Sequence, residues 1–297
     1  LFHSKLPQAY PKEMRDDLTQ TFELVFDEGL RQGMIDRRVE IVFREVEGLP
    51  KGTVKAVIDA YGELVDEGCL AVFGPAITDN CVPTREAIEQ RFHVPRISVT
   101  GAEDWLGEWT FSLSMGSMTD EPIFWAHLLQ KGGHTEVGLL VEKSLVGQSY
   151  AKSFHTACRA AGIRIAAEET IPQTAQDTSR AVRALHAAKV QALVHCGFGF
   201  GIVFVNPVLQ ELGWDPPRFL GTAFQNAWIN PIMWNAILGW TGLDQYDEGN
   251  RLGQAFLDQF AARYGRRPEY CVPLVNRDIG TVLLHAFVAV PSLSPRG

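Results

Sequence analysis

The residues of this chain that could do chemistry gather in short segments, each behind an apolar run. "GPAITDN" (74–80) follows Ala71–Phe73 and sets a hydroxyl, a carboxylate and an amide, Thr78, Asp79 and Asn80, where a helical pattern begins. "TGAEDW" (100–105), "KSLVGQS" (143–149), "GFGFG" (197–201) and "TAFQN" (222–226) stand behind other apolar runs. Hydroxyls and exposed amides at a helix start suit a carboxylate, because the orphan N–H groups and the helix dipole both favour negative charge. Thr78 and Thr100 are the candidates for that role. The plainer alternative is that Thr78 and Asp79 cap a helix and do nothing else. The recurrence of such loops is what argues for a ligand.

Other chemistries fit less well. "GFGFG" has the spacing G-x-G-x-G, so the third glycine of a dinucleotide fingerprint falls on Ile202, and no phosphate-binding G-x-x-x-x-G-K-[ST] occurs. Phe198 and Phe200 could instead wall an apolar or aromatic ligand, or simply pack. "VGQSYA" (146–151) approximates a nucleophile elbow with Ser149 as nucleophile and His195 or His285 as base, but Lys143–Val146 separate the strand from the serine, which falls inside a helix. The eight histidines form no H-x-x-x-H or H-E-x-x-H pair and the carboxylates no calcium-loop spacing, so neither a metal nor a cofactor is expected. Of the seven tryptophans, Trp105 and Trp228 stand closest behind the candidate loops and are the two expected to touch a ligand or close a cleft.

These loops need elements to hold them. Apolar residues from Met14 to Phe26 recur at helical spacing, and "VEIVF" (39–43) reads as a strand. Pro50 opens a second helix that Gly68 closes, "CLAVF" (69–73) is a strand, a helix begins near Asp79 as N-cap, and "VPRISV" (94–99) is a strand. The alternation continues with a helix from Asp120, "VGLLVE" (137–142), a helix over 148–161, "IRIAAEETI" (163–171), a helix over 177–188, "VQALVHC" (190–196), a helix over 202–212 and "RFLG" (218–221). Strict alternation of short apolar runs and amphipathic helices means parallel sheets covered on both faces, an α/β fold. The strands are too many for one comfortable sheet, and "WTFSLSMGSMTDEP" (109–122) and "ILGWTGLDQYDEGN" (237–250) read as crossovers between two lobes. Helices over 252–264 and 279–290 follow, the second returning to the first lobe. The expected division is 1–117 plus 246–297 for lobe one and 118–245 for lobe two, with a ligand cleft between.

A chain of 297 residues with 46% apolar and 21% charged residues has material for a sizeable core, and a formal charge of -8 argues against nucleic acid or an anionic membrane as the main partner. No run approaches the roughly 18 consecutive apolar residues of a membrane span, so direct insertion is not expected. Five scattered cysteines include no C-x-x-C pair; a Cys69–Cys81 disulfide is conceivable and buried free thiols are the favoured reading. "LFHSKLPQAYP" (1–11) reads as a loop without the strand that should precede it, and "AVPSLSPRG" (289–297) stops in loop-like residues, as in a fragment or a mature domain.

Several segments, taken in order, resemble one family. They are "LAVFGPAITDN", "VPRISVTGAEDW", "VGLLVEKSLVGQSYAKSF", "AAGIRI", "DTSRAVRALHAAKVQALVHCGFGFG", "LQELGW", "FLDQFAARYGRRPEY" and "DIGTVLLHAF". In order and spacing the chain is similar to the type I periplasmic substrate-binding proteins of ABC transporters, in the branched-chain amino-acid receptor group. The resemblance implies two Rossmann-like lobes joined by three crossovers that close on a small ligand by hinge bending. It implies that the ligand's carboxylate meets Thr78 and the Thr100-Gly101-Ala102 loop of lobe one, while Gly147, Gln148, Phe198 and Thr222 approach from lobe two. Tyr10 is a further contact, and Asp79 is either a cap or a partner for an ammonium.

Two departures bear on the ligand. The family's Y-G is Val146-Gly147 here, and the acidic residue that holds the ammonium in amino-acid receptors is absent from "GTAFQN". Either Asp79, Glu103 or Asp104 takes its place, or the ligand carries no ammonium, since burying one without a carboxylate is costly. The expectation is a solute-binding receptor without catalysis, partnered by a small ligand and an ABC permease, periplasmic or extracellular. A ligand-sensing regulator on the same fold, cytoplasmic or in a receptor ectodomain, and a hydrolase using Ser149 are the alternatives.

Overall fold

The computed structural model of the chain describes residues 2–4, 12–49, 51–172, 178–222, 231–244 and 246–295. The chain divides into two compact units, residues 1–115 with 246–297, and residues 116–245.

In the first unit β3 (Val72–Phe73), β4 (Arg96–Ser98) and β5 (Thr110–Ser112) form a parallel sheet in the order β3-β4-β5. β1 (Phe2–Ser4) pairs in parallel with β2 (Arg44–Val46). Helices α1 (Lys12–Arg31) and α2 (Val54–Asp66) precede α3 (Thr78–Cys81), which runs through a 3-10 turn, α4 (Arg85–Ala87) and a π turn (Ile88–Phe92). Successive strand residues point to opposite faces, and the core follows that alternation. Val72 packs with Val57, Tyr61, Leu64 and Trp105 on the α2 side, whereas Phe73 packs with Phe22, Phe26 and Ile279 on the α1 side. α2 starts at Val54 because the Thr53 hydroxyl accepts from the Ala56 N–H, three residues past Pro50, which lies outside the described residues.

The second unit holds β6 (Glu136–Glu142), β7 (Arg164–Ile171), β8 (Ala192–Cys196), β9 (Arg218–Leu220) and β10 (Trp240–Thr241), parallel throughout, in the order β10-β9-β8-β6-β7. α5 (Asp120–Lys131), α6 (Leu145–Ala161), α7 (Ser179–Ala187), α8 (Val205–Leu212) and α9 (Pro231–Ala236) accompany it. Leu140, Leu193 and Leu220 bury one face against Val182, Leu185 and Leu209 of α7 and α8. Leu139 and Val194, one residue along from Leu140 and Leu193, are as fully buried, so both faces are covered. Both units are α/β with parallel sheets flanked by helices, as expected.

Several elements differ from the sequence reading. Residues 39–43 form no strand; the pairing with β1 falls on Arg44–Val46, and Val39–Val42 line an apolar groove with Phe22, Phe26, Phe73 and Phe287. α6 begins at Leu145 and not at Gln148, since Ser144 caps it. The 202–212 helix is a 3-10 turn (Phe200–Phe204) followed by α8. α10 (Arg251–Tyr264) matches closely, while α11 (Val272–Ala289) starts seven residues earlier than the expected 279. α11 is apolar and long enough for a membrane span, with a mean hydropathy of 1.2. Its Ile279 and Leu284 pack with Leu18, Phe22 and Phe26 of α1, as a core helix does. All five cysteines are free thiols.

Candidate functional site

At the carboxyl ends of β3 and β4 the first unit brings Thr78 and Thr100 together. Their hydroxyl oxygens are 2.7 Å apart and each residue is 3% exposed. One of the two hydroxyl hydrogens lies on the shared bond. The Thr100 oxygen also accepts from the Ala102 N–H at 3.3 Å. The second hydroxyl hydrogen is therefore left to donate elsewhere. Gly101 and Ala102 continue the loop, with Ala102 buried and Gly101 half-buried. Thr100 is fixed from behind by Ser98, whose hydroxyl donates to Pro75 O (2.9 Å) and accepts from Thr100 N (3.2 Å), and by Ser112, whose hydroxyl donates to Thr100 O (2.5 Å). Asp79 is not the cap: Ile77 holds that position without a side-chain bond, and Asp79 is half-buried in the first turn of α3. Asn80 instead ties in the loop between β2 and α2, accepting from Leu49 N (2.7 Å) and donating to Leu49 O (3.1 Å).

Sequence reasoning passed over the group beneath this loop. Arg96, fully buried, donates through Nε to Gly74 O and through a terminal nitrogen to Thr84 Oγ1 at 2.9 Å. Its guanidinium carbon stands 4.9 Å from the Trp105 ring centre and 5.4 Å from that of Tyr61. Burial lowers its pKa to about 10, which leaves it cationic at neutral pH. Trp105 is thereby a packing residue: it is fully buried and its indole N–H donates to Phe111 O at 2.8 Å. Burial also pushes the Cys81 thiol up to about 11, so it is no nucleophile.

The second unit builds its strand ends differently. Gly147 and Gln148 lie in the first turn of α6, where the Ser144 hydroxyl accepts from Gly147 N at 3.0 Å. A side chain at 147 would run into the carbonyl oxygen of Glu142 and reach within 3.1 Å of that of Cys196. Gln148 is exposed. Glu142, the last residue of β6, is fully buried, and its carboxylate accepts from the backbone N–H groups of Phe198 (2.6 Å), Gly199 (3.0 Å) and Gly201 (3.5 Å). His195 Nε2 is 3.3 Å from the same carboxylate, within ion-pair reach but not aligned for a hydrogen bond. The glycine-rich loop is thus an anion-binding nest already filled by a protein carboxylate, which explains why it looks phosphate-like without being a fingerprint. Gly199 there has φ +98°, a conformation that suits glycine. Phe198 is half-buried; the Phe200 side chain lies outside the described residues.

A second carboxylate organises the end of β9. Glu121, in the first turn of α5, is 7% exposed. It accepts from Ser117 N (3.0 Å), Tyr150 OH (3.0 Å), Thr222 N (2.9 Å) and the Thr222 hydroxyl. Burial raises its pKa above the ordinary value against the lowering effect of these donors. Burial, then the neighbouring carboxylate, raises the Tyr150 phenol well above its usual range. Both donors of Thr222 are accordingly directed at Glu121. Tyr10 and Trp228 lie outside the described residues. Ser149 sits inside α6 with no hydrogen bond to His195 or His285, and among the described residues no cluster of His, Cys, Asp and Glu could hold a metal.

The profile described as "Periplasmic binding protein" matches residues 12–277. No curated protein matches the chain. Among solved structures the chain is similar to the type 1 periplasmic binding protein from Bordetella pertussis Tohama I, with TM-score 0.81 and 18% identity over 99% of this chain and 85% of that one. It is also similar to LivJ from Streptococcus pneumoniae, a branched-chain amino acid transporter substrate-binding protein in complex with isoleucine, with TM-score 0.77 and 18% identity over 99% and 84%. A third is the solute-binding protein of an ABC transporter from R. palustris in complex with benzoate, with TM-score 0.73 and 15% identity over 97% and 79%. Those likenesses establish the shared fold, and the profile, spanning most of both units, establishes that the chain belongs to the periplasmic binding protein family.

Proposed function

We propose that this chain is the solute-binding receptor of an ABC importer, working outside the cytoplasmic membrane, and that its ligand is a small molecule bearing a carboxylate. It hands that ligand to a membrane permease and does not transform it. The observation that carries the reading is the buried Thr78–Thr100 hydroxyl pair, with a hydroxyl hydrogen left to donate and the cationic Arg96 beneath the same loop. Neutral donors over a buried cation favour an anion at these strand ends. In this proposal Thr78, Thr100, Gly101 and Ala102 of the first unit contact the ligand's carboxylate, and Gly147, Gln148, Phe198 and Thr222 are the candidate ligand contacts of the second unit.

Ligand that binds only the folded chain raises its melting temperature by mass action, so a thermal-shift screen of organic acids, amino acids and neutral amides identifies the class. A shift confined to neutral amides overturns the carboxylate assignment. For the acid giving the largest shift, calorimetry on Thr78→Val should show binding weakened about tenfold, or about 1.4 kcal/mol, with the fold intact. Unchanged affinity removes Thr78 from the site.

A further inference from the structure

The middle three strands of the second unit, β6, β8 and β9, end beside two carboxylates, and both face inward. Glu121 has two oxygens and four donors, two on each oxygen, which fills the roughly four lone-pair positions of a carboxylate. Glu142 has no exposed surface, lies under the backbone of residues 197–201, and carries three N–H donors with His195 alongside. The segments that follow these strands hold no other acid. The sequence contains no Asp or Glu from residue 143 to 149, from 197 to 210, or from 221 to 243. Asp177 and Asp244 follow the edge strands β7 and β10. In the first unit Glu103 and Asp104 are exposed to water, and Asp79 already has a partner within the protein.

A ligand ammonium withdrawn from water needs an acceptor, preferably an anionic one, and these strand ends present hydroxyls and an aromatic ring. Building on the carboxylate reading above, we infer that the ligand class is a carboxylate without an ammonium group, an aromatic or short organic acid in place of a free amino acid. The acid's carboxylate takes the donors of the first unit.

The test is calorimetry on the purified chain with pairs that differ only by the ammonium: leucine against 4-methylpentanoate, phenylalanine against 3-phenylpropanoate, and phenylglycine against phenylacetate, with benzoate alongside. The acid of at least one pair should bind on the order of a hundredfold tighter than its amino acid. An amino acid that binds as tightly as its acid, or tighter, overturns the inference and leaves the carboxylate reading standing. Loss of that binding in Asp79→Asn then identifies Asp79 as the ammonium's partner. If no acid and no amino acid binds, the carboxylate reading itself fails and this inference with it.

Discussion

The two units hold equivalent loops in place with opposite electrostatics. In the first, the loops after β3 and β4 are knit by hydroxyls, a thiol and one buried guanidinium: Thr78, Thr100, Ser98, Ser112, Cys81 and Arg96. In the second, the loops after β8 and β9 are knit by two buried carboxylates, Glu142 and Glu121, each gathering backbone N–H groups. The same task of satisfying strand-end backbone is solved from the acceptor side in one unit and chiefly from the donor side in the other. The difference has a functional direction. A loop held by donors with a cation beneath it remains receptive to an anion, whereas a loop whose N–H groups already face a carboxylate does not.

The largest effect expected from this contrast lies in the second unit. Gly147→Val drives a branched side chain into the carbonyls of Glu142 and Cys196, and denaturant unfolding should record a loss of about 3 kcal/mol or more. A loss below 1 kcal/mol would show that the first turn of α6 can shift and that the packing is looser than described. Next is Glu142→Gln, which keeps the shape but replaces a charged acceptor of three N–H groups, at about 2 kcal/mol. Hydrogen exchange at Phe198 and Gly199 should accelerate in the same variant; protected amides there would break the idea that the carboxylate holds the loop. The smallest effect is on pH dependence. Burial raises the Glu121 pKa above its ordinary 4.5, so the folded chain binds that proton more readily than the unfolded one. Stability from this group is then greatest below 4.5 and declines as pH rises through the raised folded value. Glu121→Gln, uncharged throughout, should flatten that decline in thermal melts as pH rises above 4.5, and an unchanged slope would assign the dependence to other groups.

Much of this architecture is legible in the sequence because its signals are local. Alternating short apolar runs and helical periods locate β6 to β9 within a few residues, and a resemblance spread over the whole chain points to the family that the profile establishes. Residues 39–43 mislead because an apolar run states burial, not pairing: residues 39–42 line a groove while the hydrogen-bonded register begins at Arg44. The helix start at Leu145 is set by the Ser144 cap, and that at Val272 comes with a proline in the first turn, single residues that periodicity averages away. In the candidate site the hydroxyl pair is readable, since Thr78 and Thr100 both follow apolar runs. Arg96, Glu121 and Glu142 are not, because an isolated charge at the end of a strand or the start of a helix looks like a solvated boundary residue. Only the fold reveals that Glu142 reaches amides some 56 residues further on. The one trace in the sequence is that "VGLLVE" ends with its acid directly before "KS", while the loop it fills has glycine at every second position.

The filled nest has a consequence for how the chain tolerates change. A side chain at position 197 would collide with the carboxyl group of Glu142, and the N–H groups of Phe198, Gly199 and Gly201 depend on that same carboxyl group. Positions 142 and 197 are therefore a single heritable unit: an alanine can enter at 197 only alongside a shorter residue at 142, and a shorter residue at 142 leaves the loop's amides open to an anion from solution.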